Sequence, residues 1–218
     1  MISAHSYAPG LIVQGITPPL SLRHFGLIAF DMDSTLINIE CIDEMAACVG
    51  KAKEVAAITE AAMQGEITDY KQSLRQRVAL LEGAPADCMR QVYETRLQFN
   101  PGVERLVGAC HQAGLYTLIV SGGFDYFTQR LQTKLGIHAT RSNQLEVIHG
   151  RFTGRLVEQA WGDICDGEEK RRMLSQTCLA LGIETSQAIA VGDGANDLPM
   201  MGVAGRSWLK RLASSVKR

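Results

Sequence analysis

No C-x-x-C pair occurs among the six cysteines, which stand far apart at Cys41, Cys48, Cys88, Cys110, Cys165 and Cys178. Zinc sites and disulfide frameworks announce themselves by close, repeated cysteine spacing. These six therefore read as small buried hydrophobes in a reducing compartment. Long apolar runs are missing as well, and none approaches the ~18 residues of a membrane span. Residues 1–10 hold no basic cluster and Leu11–Val13 is too short for an apolar core, so no signal peptide is expected. Neither sign of charge is in surplus: 22 Lys and Arg stand against 23 Asp and Glu. That balance argues against a nucleic-acid binder, whose domains carry a clear basic excess. What remains is a soluble, cytoplasmic globular protein, monomer or homodimer, without a nucleic-acid or membrane partner.

Three short apolar runs organise the rest. Gly26–Phe30 ends in Asp-Met-Asp, Leu115–Val120 in Ser-Gly-Gly, and Ala188–Val191 in Gly-Asp-Gly. Continuous Ile/Val/Leu-rich runs of this length belong to strands buried on both faces, hence to a parallel sheet covered by helices. Helices are expected between them: from Asn100-Pro101-Gly102 to Ala113, with Asn100 as N-cap and Pro101 in the first turn; from Phe124 to Leu135, stopped by Gly136; and from Gly167 to Leu181, stopped by Gly182. This alternation predicts an α/β fold, a Rossmann-like doubly wound domain. Between Asp33 and Asn100 no strand-like run occurs. Ile42–Val49, Ala52–Met63, Thr68–Leu81 and Ala86–Leu97 instead predict four helices, a small cap inserted after the first strand. Ser142–Val157 reads as hairpin, with Gly150 and Gly154 as turns. The expected division is 1–24 as an N-terminal extension with one short strand, 25–38 and 100–218 as the core, and 39–99 as the cap.

In an open parallel sheet, ligands bind beyond the carboxyl ends of the strands. All three runs deliver polar residues there: Asp31 and Asp33, then Ser121, Gly122 and Gly123, then Gly192-Asp193-Gly194-Ala195-Asn196-Asp197. Carboxylates crowded at a strand end repel one another unless a cation neutralises them, and Mg²⁺ suits a site with a few carboxylates and several waters. The set matches the needs of phosphoryl transfer. Asp31 can serve as nucleophile and Asp33 as proton donor and then base. Ser121 and the Gly122 and Gly123 N–H groups can hold phosphate oxygens, Lys170 supplies fixed positive charge, and Asp193 completes a metal site. Taken singly, each motif also fits a turn or a solvated face. Their order at three strand ends is what points to a Mg²⁺-dependent phosphatase.

Asp31-Met32-Asp33-Ser34-Thr35, Ser121-Gly122-Gly123-Phe124-Asp125, Lys170 and Gly192-Asp193-Gly194-Ala195-Asn196-Asp197 resemble the four motifs of the haloacid dehalogenase superfamily, over about Phe25 to Gly205. The resemblance implies a Rossmann-like core and an aspartyl-phosphate intermediate. It makes Asp31 nucleophile and metal ligand, Asp33 proton donor and metal ligand through its backbone carbonyl, Asp193 the third protein ligand, Asp197 a support and Asn196 a substrate contact. More narrowly, Asn38–Glu44 and Ser73–Val78 are similar to the phosphoserine phosphatase family, which acts in serine biosynthesis. There Glu40 would meet the substrate's amino group and Arg77 its carboxylate. Such a pair suits a zwitterion. Arg75 and Arg77 lie about 200° apart on a helix, so one alone faces a pocket; the choice of Arg77 comes from the resemblance. Met63 and Tyr70 are candidates for the apolar wall.

Two other readings stand beside this one. One is a phosphatase or phosphotransferase for a different small phosphomonoester, such as phosphohomoserine or a sugar phosphate. The other is a shortened, non-catalytic chain. The second is prompted by the segment Arg206–Arg218, which departs from the family pattern and holds no strand-like run. From it we expect the last edge strand to be missing, with lower stability as the result.

Overall fold

A computed structural model describes residues 4–8, 11–14, 21–63 and 69–209. Five strands form one parallel sheet in the order β5-β4-β3-β8-β9: β3 (Leu27–Phe30), β4 (Tyr116–Phe124), β5 (Ala139–Asn143), β8 (Ala188–Gly192) and β9 (Arg206–Leu209). In the N-terminal segment, β1 (Ala4–Ala8) pairs antiparallel with β2 (Leu11–Gln14), one strand more than expected. β6 (Leu145–Ile148) and β7 (Arg151–Leu156) make the anticipated hairpin. His149 and Gly150 turn it with φ of 50° and 72°, the left-handed backbone that a two-residue hairpin loop requires. Gly154 is not a turn. It lies within β7, where a β-carbon would sit 3.3 Å from the backbone of Ala79.

Alternation along the central strands divides the core. Ile28, Phe30, Ile119 and Ile189 face one side, in a cluster that continues into Met45, Leu74, Val78 and Val92 of the inserted helices. Leu27, Ala29, Leu118, Val120, Ala188 and Ala190 face the other, against Leu174, Cys178 and Met200. Burial on both faces is why these runs are continuously apolar. The inserted helices are α1 (Cys41–Cys48), α2 (Ala52–Met63), α3 (Tyr70–Ala79) and α4 (Cys88–Thr95), each within a few residues of its expected span. The sheet's own helices are α5 (Val103–Gln112), α6 (Asp125–Leu135), α7 (Gly167–Leu181) and α8 (Leu198–Val203), with Gly136 and Gly182 ending α6 and α7 in the left-handed conformation. Among the described residues no helix is long and apolar enough to cross a membrane.

Several expectations are corrected. The last edge strand is present: Ile189 pairs with Arg206 and Gly192 with Leu209, so β9 closes the sheet beside β8. An edge strand is held by backbone pairing and needs no apolar run, which is why Arg206–Leu209 gave no signal; residues 210–218 lie outside the description. The crossover depends on Gly205, whose N–H donates to Thr185 O at 2.9 Å, while a β-carbon there would collide with the Ser186 carbonyl. β5 was also unforeseen, because its Ala-Thr-Arg-Ser-Asn sequence is polar. Five cysteines are buried as expected, but Cys48 is exposed.

Asn100 is not a helix cap. Gly102, at φ 88°, precedes α5, and Pro101-Gly102 form a turn. The Asn100 side chain instead reaches back to the loop after β3, where Nδ2 donates to Ser34 O, Thr35 O and Ile37 O at 3.2, 2.8 and 2.8 Å. Its backbone N–H donates to Leu36 O at 2.9 Å. One amide therefore pins the loop that carries Asp31 and Asp33. Replacing Asn100 by Asp would set a carboxylate against three carbonyls. Denaturant titration should find Asn100→Ala about 1–3 kcal/mol less stable than wild type and Asn100→Asp, though isosteric, less stable than Asn100→Ala.

Candidate active site

The three central strands end in register. Phe30 pairs with Ile119 on one side and with Val191 on the other, and the Asp31 N–H donates to Val191 O at 2.9 Å. The residues that follow each strand are thereby delivered to one place. A cavity of about 160 Å³ opens there, lined by Asp31, Asp33, Ser121, Gly122, Asp193 and Asn196 from the sheet and by Glu40, Tyr70 and Arg77 from the inserted segment. Ile42, Leu74 and Phe124 complete its apolar wall. Lys170 and Asp197 do not line the cavity. Lys170 lies beneath, fully buried, with Nζ 2.7 Å from Asp31 Oδ1 and 2.7 Å from Asp197 Oδ1.

Charge governs this floor. Burial alone would drive the Lys170 ammonium to lose its proton, but Asp31 and Asp197 hold its pKa well above the ordinary value. Burial pushes the Asp31 carboxyl up to about 7, and the Lys170 ammonium only partly offsets it. Asp33 is raised well above the carboxylate range, chiefly by burial and then by the negative charge of Glu40. An upward shift is in the direction that a carboxyl acting as general acid requires. The Cys41 N–H donates to Asp33 Oδ1 at 3.3 Å and orients it.

Oxygens of Asp31, Asp193 and Asp197 lie within 4.8 Å of one another, close enough to share a cation. The three are not equivalent. Asp197 is saturated: Oδ1 takes Lys170, while Oδ2 accepts the N–H groups of Asp193 and Gly194 at 3.0 and 2.9 Å. It shapes the loop. Asp193 accepts the Thr35 hydroxyl at 2.7 Å. An ion is therefore better served by Asp31 and Asp193 than by Asp197, and the excess of carboxylates over the single Lys170 ammonium supplies the attraction.

The phosphate-type loop is equally supported. Ser121 Oγ accepts the Gly123 N–H at 2.9 Å, so its own hydrogen is directed elsewhere. Asn143 Nδ2 donates to Gly122 O at 2.7 Å and Asn143 Oδ1 accepts the Cys165 N–H at 2.8 Å. Asn143 was not anticipated, since β5 itself was not. On the inserted side, Ser34 donates to Glu40 Oε1 at 2.6 Å. Arg77 faces the cavity, whereas Arg75 turns outward to Asp163 at 2.5 Å. The Met63 side chain lies outside the described residues.

The sequence profile of haloacid dehalogenase-like hydrolases matches residues 28–202. The chain belongs to this family. Similar hydrolases include a phosphoserine phosphatase of Albidiferax ferrireducens, 64% identical over 210 residues that cover 96% of this chain and 89% of that one. Two solved structures are also similar. A substrate-bound phosphoserine phosphatase complex has a TM-score of 0.77 at 36% identity, covering 84% of each chain. A phospho-aspartyl intermediate analogue of phosphoserine phosphatase has a TM-score of 0.77 at 36% identity, covering 84% of this chain and 85% of that one.

In a haloacid dehalogenase-like hydrolase with this floor, protons and a cation compete for Asp31. A raised folded-state pKa stabilises the fold fully only below the unfolded value of 3.8, and that contribution is lost as pH rises through about 7. Without divalent cation, the melting temperature should carry a falling contribution from Asp31 between about pH 4 and pH 7 that Asp31→Asn removes. A divalent cation should raise the melting temperature more at pH 8 than at pH 5. An equal rise at both pH values would show that the ion does not bind at Asp31.

Proposed function

We propose that this hydrolase is a phosphoserine phosphatase, releasing serine and phosphate from O-phospho-L-serine with Mg²⁺. The observation that carries the reading is the presence of Glu40 and Arg77 in the same cavity as Asp31, Asp33 and Ser121. A carboxylate and a guanidinium opposite a phosphoryl site complement the ammonium and carboxylate of an amino acid. A sugar phosphate would offer neither of them an opposite charge. The similar phosphoserine phosphatases support the same assignment.

Asp31, Asp193 and the backbone carbonyl of Asp33 would hold the ion, which when bound offsets phosphoryl charge. Lys170 fixes Asp31 through Oδ1. One Asp31 oxygen attacks phosphorus, the bond to the serine oxygen breaks, and Asp33 gives that oxygen its proton. Asp33, now ionised, takes a proton from water as the water attacks the aspartyl-phosphate. Ser121 and the Gly122 N–H hold the equatorial oxygens throughout, with Asn196 at the rim and Lys170 below. The inserted helices close over the cavity and keep bulk water from the intermediate.

The experiment is a phosphate-release assay with Mg²⁺ on a panel of phosphomonoesters. Phosphoserine should be preferred, Asp31→Asn should abolish turnover, and Asp125→Asn should retain it. Arg77→Lys keeps the charge but loses the fork, and should lower kcat/KM for phosphoserine about thirtyfold, about 2 kcal/mol. Equal turnover of sugar phosphates would sink the substrate assignment.

A further inference from the structure

Tyr70 was expected as a piece of apolar wall, but its hydroxyl is not at a wall. It is the first residue of α3, and its ring lines the cavity with Asp31, Ser121, Gly122 and Arg77. Oη stands directly over Gly122: a β-carbon on that glycine would collide with it, and the ring carbon bearing the hydroxyl would lie 3.0 Å away. Among the described residues no protein group hydrogen-bonds Oη. Tyr70 is half-buried, and its side chain faces the cavity rather than the core. Apolar contact alone would be met by phenylalanine.

The start of α3 is held firmly. Asp69 caps it by accepting the Lys71 N–H at 2.8 Å. Lys71 Nζ binds Asp163 at 2.9 Å and Asp166 at 3.6 Å, and Arg75 binds Asp163 at 2.5 Å. Asp166 in turn caps α7, the helix that carries Lys170. Tyr70 is thus fixed against the same element that fixes Asp31. Lys170, Arg77 and Asp31 are the charged groups whose fields reach its hydroxyl, and burial, the largest influence, keeps the phenol protonated. It is a hydrogen-bond donor at every working pH.

We propose that Tyr70 Oη donates a hydrogen bond to a phosphoryl oxygen of the bound substrate, from the inserted helices, beside the donors Ser121 and Gly122. The inference rests on the reading of Asp31, Ser121 and Gly122 as the phosphoryl end of the cavity. It makes Tyr70 the group through which closure of α3 over the sheet is read by the phosphate itself. A substrate without that oxygen loses the contact, and the product serine never makes it.

Tyr70→Phe removes the hydroxyl and keeps the ring. Affinity for inorganic phosphate and for L-serine is measured separately, by calorimetry in Mg²⁺ and as inhibition constants. Inhibition constants do not depend on the fraction of protein folded. The expected result is phosphate binding about tenfold weaker, L-serine binding within twofold of wild type, and kcat/KM for phosphoserine reduced by the same factor as phosphate affinity. Unchanged phosphate binding overturns the proposal. So does equal weakening of phosphate and serine, which marks a purely structural role, and so does weakening of serine alone, which puts the hydroxyl at the amino-acid end. Wild-type protein that binds phosphate but does not turn over phosphoserine would refute the substrate assignment and leave the Tyr70 comparison valid. Wild-type protein that binds no phosphate would overturn both.

Discussion

The buried ammonium of Lys170, 2.7 Å from carboxylate oxygens of both Asp31 and Asp197, is the interaction on which the rest of the site depends. Removing ions from water costs several kcal/mol each, so a buried trio persists only if its geometry and remaining hydrogen bonds are well met. They are met here. Asp197 spends its second oxygen on two backbone N–H groups of the loop after β8, and Asp31 is held by the end of β3. Lys170 belongs to α7, whose start is capped by Asp166 and tied to β5 by Glu169 and Arg141 at 2.8 Å. One cation thereby connects β3, β8 and α7. Two carboxylates against one ammonium leave a negative excess beside Asp193, an arrangement that could hold a cation.

A second set of charges works at the opposite rim. Lys71 and Arg75 of α3 meet Asp163 and Asp166, just ahead of α7. Exposed pairs of this kind contribute little to stability, about 0–1 kcal/mol each. Their value lies in position: they secure the helix that presents Tyr70, Leu74 and Arg77 to the cavity. The ties under the sheet are buried, whereas those of α3 are exposed.

Between these, small polar residues do the aligning. Thr35 holds Asp193 across 158 positions of sequence, Ser34 holds Glu40, Asn100 pins the loop after β3, and Asn143 pins Gly122. None of them is charged. Each is a short side chain whose donors and acceptors match carbonyl or carboxylate groups brought near by the sheet register.

The sequence by itself determined the buried strands, because burial on both faces demands continuous apolar runs, and it determined the chemistry at their ends, because Asp31, Asp33, Ser121 and Asp193 follow those runs directly. It also located the four inserted helices within a few residues, through apolar periodicity and glycine breaks. Only the tertiary structure decided the rest. The edge strands β5 and β9 lack the continuous apolar run of the central strands, since backbone pairing to a neighbour sustains them. Arg77 rather than Arg75 faces the cavity because helix α3 is rotated by its packing and by the pairing of Arg75 with Asp163. Asn100 reads locally as a helix cap, yet its three carbonyl partners lie more than sixty positions away. Local rules see spacing along the chain; they do not see which distant groups the parallel register sets side by side.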